Sequence, residues 1–152
     1  MSVMWKYLDK RSATIAALKD RASMKFIVDH TDEEITAERD RMASIGSPNM
    51  DGLPHAYNPQ AGEERILAGI EEIDILKERY RQAVEYQEWF EPAWAQLSED
   101  ERFVLETFYD DNTYGSNAAW YIAEHFEIEQ ASAYRKKNRA LDHLTVLLFG
   151  KS

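Results

Sequence analysis

Four of the chain's eighteen Lys and Arg residues fall within five positions: Arg135, Lys136, Lys137 and Arg139, inside the stretch ASAYRKKNRAL at 131–141. Gln130, Ala131, Ser132, Tyr134 and Asn138 are interleaved with them or just precede them. These side chains suit work on a nucleic-acid duplex. An Arg fork pairs with the O6/N7 edge of guanine, and Gln or Asn pairs with adenine. Ser, Tyr and Lys bind phosphate oxygens and fix register without carrying sequence information. The same residues would also make an ordinary solvated helix face, so their surroundings decide between the two.

Those surroundings are acidic. The chain has a formal net charge of −10, yet residues 130–152 carry +4 and the rest carries −14. An acidic body repels DNA, so any contact must be local and oriented. The bases lie mid-helix rather than in a last turn, so the helix dipole does not account for them. Other chemistry is weaker. His30 lies among Asp29, Asp32, Glu33 and Glu34, where a hard metal is conceivable but a solvated acidic helix start weighs more. His125 and His143 are single helix residues without a second histidine four residues on, and His55 falls in a Pro/Gly-rich stretch. The absence of cysteine removes disulfides, thiol catalysis and Cys-based zinc sites. No Ser/His/Asp order, phosphate loop or zinc-protease motif occurs, so neither catalysis, a cofactor nor a metal is expected. Tyr80, Tyr86, Trp89, Phe90 and Trp94 read as core rather than as a base-stacking platform, which would come with a basic groove.

The elements that must position the cluster read as all-α. A first helix is expected over about 3–28, with Met4, Leu8, Ile15, Leu18, Ala22 and Phe26 three or four apart. Thr31 and Glu34 then form a capping box for a short helix. Residues 29–63 read as an irregular linker, because three of the four prolines and three of the six glycines gather in its second half. A second long helix is expected over about 64–90, with a stripe through Ile66, Ile70, Ile73, Leu76, Tyr80, Val84 and Gln87, stopped by Pro92. Two such helices cannot stand alone in water. They are expected to pair as an antiparallel coiled-coil hairpin over residues 1–97.

Residues 98–152 read as a second domain of three helices. Ser98 and Glu101 make a capping box for a helix over 99–109. Residues 110–117 form a loop, and Asn117 caps a short helix at 118–126. Glu127, Ile128 and Glu129 make a tight connection to a last helix at 130–149, stopped by Gly150. A short helix, a three-residue turn and a longer helix match a helix-turn-helix. Ala123, Phe126, Ile128, Ala133, Ala140, Leu141, Leu144 and Leu148 form its inner face. The outer face presents Gln130, Ala131, Tyr134, Arg135, Asn138 and Arg139, with Ser132, Lys136 and Lys137 on the flanks. In such a motif the second helix enters the major groove by its N-terminal half.

The segments LSEDERFVLETFY and YIAEHFEIEQASAYRKKNRALDHLTVLLFG resemble the region-4 helix-turn-helix of sigma factors. They resemble more closely the phage-encoded regulators of the ArpU and RinA type. The resemblance covers about 98–150 well and the rest in outline. The motif residues that match are Ile122, Ala123, Phe126, Ile128, Ser132, Tyr134, Arg135, Ala140 and Leu141. Two positions depart from the pattern: the turn residue usually Gly is Glu127, and the usual Ser or Thr cap is Glu129. A non-Gly residue at positive φ is strained, so a different turn is expected.

The resemblance implies a DNA-binding transcriptional regulator of phage or prophage origin. Its expected partners are double-stranded DNA, a second copy in a homodimer joined through the hairpin, and RNA polymerase. A DNA-packaging factor similar to small terminase subunits is the alternative, with a protein-interaction adaptor as the third. No run of eighteen apolar residues and no secretory signal pattern occurs, so a cytoplasmic protein without membrane contact is expected.

Overall fold

Asp9 starts the first helix: its carboxylate accepts from the Ser12 amide at 3.1 Å and from the Ser12 hydroxyl at 2.7 Å. This is an N-cap that leaves fewer amides of the first turn unpaired. The computed structural model describes residues 8–45, 59–109 and 114–150. All regular structure among them is helical: α1 (Lys10–Ile45), α2 (Pro59–Gln96), α3 (Glu99–Tyr109), α4 (Ala118–Phe126) and α5 (Gln130–Phe149), with a 3-10 turn at Gly115–Asn117 before α4. No helix among the described residues is long and apolar enough to cross a membrane.

The two long helices exceed their expected bounds. α1 begins at Lys10 and runs through Thr31 to Ile45, while residues 3–7 of the expected first helix lie outside the described residues. Thr31 does not cap a new helix: it is buried, and its hydroxyl donates to the Ile27 carbonyl one turn back. Buried Thr14, Thr107 and Thr145 do the same within their own helices, at 2.7–2.8 Å, so each hydroxyl enters the interior with its hydrogen bond made. α2 begins at Pro59, a position where a missing amide hydrogen costs nothing, and continues past Pro92 to Gln96. Pro92 is exposed while Phe90, Ala93, Trp94 and Leu97 are buried on the other side. The interrupted hydrogen bond thus falls toward solvent, and the buried residues beyond it keep the chain helical. Of the expected 29–63 linker, 29–45 and 59–63 are helical, and the remainder lies outside the described residues.

The buried stripe of α2 is also displaced. Ile66, Ile70 and Tyr80 are exposed, whereas Gly69, Leu76, Ala83 and Phe90 are buried at intervals of seven, with Ile73 between. In α1, Leu18 is buried and Ile15 half-buried, but Leu8, Ala22 and Phe26 are exposed.

The described residues fall into two compact units, one drawn from Met24–Glu85 and one from Met1–Ser23 with Tyr86–Ser152. In the first, α1 and α2 come close at Gly69, where a β-carbon would lie 2.6 Å from Met42 Cγ and Sδ. In the second, α3, α4 and α5 pack on one another. Leu18 of α1 and Phe90, Ala93 and Trp94 of α2 share one core with Leu97, Leu105, Ala140, Leu141 and Leu144. The ends of the long helices therefore belong to the same unit as α3–α5, rather than parting from it at residue 97. Arg21 fastens this unit by a two-pronged pair with Glu91, at 2.9 and 3.3 Å, while its guanidinium lies 4.7 Å from the Trp94 ring centre.

Candidate nucleic-acid interface

Two alanines set the spacing of α4 and α5. Ala123 and Ala133 are buried in a cluster with Val104 and Ile122, against which Phe103, Phe108, Tyr121, Phe126 and Ile128 pack. Between the helices, Glu127 adopts the left-handed conformation, φ 53° and ψ 50°. That conformation lets its amide turn back to the Glu124 carbonyl at 3.3 Å and the Ile128 amide to the Ala123 carbonyl at 2.9 Å. This is the backbone closure that glycine usually provides after a helix; here a glutamate provides it, and the turn stays three residues long. Glu129 is extended (φ −73°, ψ 155°) and Ala133 donates to its carbonyl at 3.0 Å, but its side chain caps nothing. Asn117 stands at the cap position of α4, yet its side chain makes no capping hydrogen bond, unlike the expectation.

The Ser98/Glu101 capping box forms at the start of α3. The Ser98 amide donates to Glu101 Oε1 at 3.0 Å, and the Glu101 amide donates to Ser98 Oγ at 3.1 Å. Glu101 also reaches His143 of α5 at 2.7 Å, a contact between residues 42 apart that local spacing could not announce. Burial pushes the Glu101 carboxyl up, but the Ser98 amide and the His143 ring together bring it below its ordinary value. Beside this pair an open cleft of about 320 Å³ is lined by Ser98, Asp100, Glu101, Val104, Lys136, Arg139 and Ala140.

On α5, Ala133, Ala140, Leu141 and Leu144 are buried, and Gln130, Ala131, Tyr134, Arg135 and Arg139 are exposed. Ser132, Lys136, Lys137 and Asn138 are half-buried. Lys136 Nζ lies 4.6 Å from the Phe126 ring centre; Lys137 Nζ lies 5.2 Å from Phe108 and 5.3 Å from Tyr134. Each contact contributes roughly 0.5–1 kcal/mol at an exposed site and holds an ammonium in place without neutralising it. Burial, and then repulsion from Arg11, lowers the Lys137 pKa. Arg135 makes one long bond, to its own helix at Ala131 O, 3.4 Å. None of Arg135, Lys136, Lys137 and Arg139 has an acidic partner among the described residues; Arg11, Arg21, Lys25, Arg41 and Arg81 each have at least one, while Lys10, Lys19, Arg39, Arg65, Lys77, Arg79 and Arg102 are unpaired but scattered rather than clustered.

One expected outward residue is engaged. Asn138 Oδ1 accepts from Arg11 Nη2 at 2.6 Å, and Arg11 Nη1 is 3.6 Å from Asp142 Oδ1. Sequence reasoning had no access to Arg11, which precedes Asn138 by 127 positions. Elsewhere, His30 faces Glu33 at 3.4 Å and its ring stacks on Phe26 at 4.2 Å. No group of three or more potential metal ligands occurs among the described residues. Of the five aromatics expected as core, Phe90 and Trp94 are buried and Tyr86 half-buried, while Tyr80 and Trp89 are exposed. No protein-family model, curated protein or solved structure matches the chain.

Proposed function

We propose that this protein is a DNA-binding transcriptional regulator in which α4, the 127–129 turn and α5 act as a helix-turn-helix. One observation carries the reading: the N-terminal half of α5 clusters Arg135, Lys136, Lys137 and Arg139 with no acidic partner among the described residues, on a chain of net charge −10. A cluster of cations left unpaired amid so many carboxylates is available to phosphate, with Tyr134 beside it for the same task, and Gln130 and Arg135 stand ready to reach base edges. The small Ala123–Ala133 crossing supports the same docking, because it seats α5 close against α4 and leaves its opposite face free. The reading includes a phage or prophage origin, pairing with a second copy through a hairpin of α1 and α2, and RNA polymerase as a further partner. Two copies would present two α5 helices to half-sites about one helical turn apart.

The test is retardation of fragments of the source genome at two salt concentrations. Binding should be present at low salt and fall steeply as salt rises, since each neutralised phosphate releases a counterion. No retardation of any fragment at low salt would sink the reading. A protein-interaction adaptor is the second reading, favoured by the exposed Glu127 and Glu129 at the entrance to α5, which would face DNA phosphates. A ring-sized oligomer in solution would instead favour the DNA-packaging alternative.

A further inference from the structure

We infer that Arg11, from the first turn of α1, decides which base edge Asn138 can read; this rests on the DNA-binding reading above. A guanidinium carries only donors, so the Asn138 amide must meet Arg11 with its oxygen, as it does at 2.6 Å. The contact fixes an orientation that an isolated amide leaves open. Nδ2 is thereby turned away from Arg11. Asp142, one turn further along α5 and 3.6 Å from Nη1, holds the guanidinium from its other side. Arg11 thus spans two turns of α5 and cannot swing off Asn138 without giving up both partners. Asn138 is half-buried, which further limits its rotation.

An unconstrained Asn at this place would read adenine with both ends of its amide, accepting from N6 and donating to N7. Here Arg11 takes one of the oxygen's two lone pairs and turns the oxygen inward, so the amide meets a base with its donors first. Donors meet their match in a base edge that only accepts, which in the major groove is guanine N7 and O6. Asn138 therefore selects guanine where its residue type alone suggests adenine, and Arg11 is the positioning residue that makes the change.

The experiment is selection from a pool of duplex DNA with a randomised core, using the wild-type protein, Arg11→Met, Arg11→Lys and Asn138→Ala. Asn138→Ala identifies the position concerned, as the one whose preference relaxes. There the wild type should enrich guanine, and Arg11→Met should shift the ratio toward adenine by roughly fivefold or more. Arg11→Lys keeps a donor and the charge and should keep guanine. The inference is overturned if Arg11→Met and the wild type enrich the same base there, or if Arg11→Lys prefers adenine. A wild type that binds no duplex fails the DNA reading itself, and this inference with it. Enrichment by the wild type that is indifferent to Arg11 fails the inference alone.

Discussion

Replacing Glu127 by glycine should stabilise the unit that contains it. Glu127 is the only non-glycine residue at positive φ among the described residues. The left-handed region costs an L-residue about 1–2 kcal/mol, because its β-carbon crowds the following carbonyl. Glycine removes that cost but adds about 0.4–1 kcal/mol of unfolded-chain freedom. The difference leaves a gain of about 0.5–1 kcal/mol. The side chain is exposed and no hydrogen bond holds it among the described residues, so little is lost with it. In a chain of this size, 1 kcal/mol moves the melting midpoint by about 2–4 °C. Thermal melts followed by near-ultraviolet circular dichroism should show Glu127→Gly about 1–4 °C above the wild type. Glu127→Ala, which keeps a β-carbon, should show no gain. A glycine variant that melts at or below the alanine variant would refute the strain argument.

Two more expectations concern the helices that carry the site. Gly69→Ala adds helix propensity worth about 1 kcal/mol, but its β-carbon meets Met42 at 2.6 Å, and overpacking costs about 1–3 kcal/mol. In denaturant titrations it should stabilise a Met42→Ala background more than the wild type, where Met42 must first move aside, and additive effects would contradict the contact. Glu101 has a folded pKa below its ordinary 4.5, so its contribution is present above that value and is lost as pH falls through the folded pKa. Glu101→Gln, which can still cap, should flatten the loss of stability as pH falls below that ordinary value; an unchanged slope would show that the Ser98 and His143 contacts contribute nothing.

The local signals in the C-terminal third were legible because they are short and chemical. The Ser98/Glu101 box, the Gly150 stop, the 118–126 and 130–149 helices and the inward Ala133, Ala140, Leu141 and Leu144 lie where spacing places them. The long helices were misread for reasons of the same kind. Gly69 and Ala83 carry no hydrophobic signal, yet they occupy the buried seven-residue repeat of α2 and displace the stripe expected through Ile66 and Ile70. Pro92 reads locally as a stop, but burial of Phe90, Trp94 and Leu97 around it outweighs one missing hydrogen bond. Thr31 and Glu34 spell a capping box, but in a helix already under way the hydroxyl bonds backward. Long-range contacts were beyond reach altogether: Arg11 to Asn138 and Glu101 to His143 join positions that no periodicity connects.

The central claim is that the N-terminal half of α5 enters the major groove. Dimethyl sulfate protection on a retarded fragment tests it, because the reagent methylates guanine N7 in the major groove and adenine N3 in the minor groove. Bound protein should shield guanine N7 positions, and Arg135→Ala should restore methylation at one of them. Protection confined to adenine N3, or no protection at a site the protein demonstrably occupies, would contradict the account.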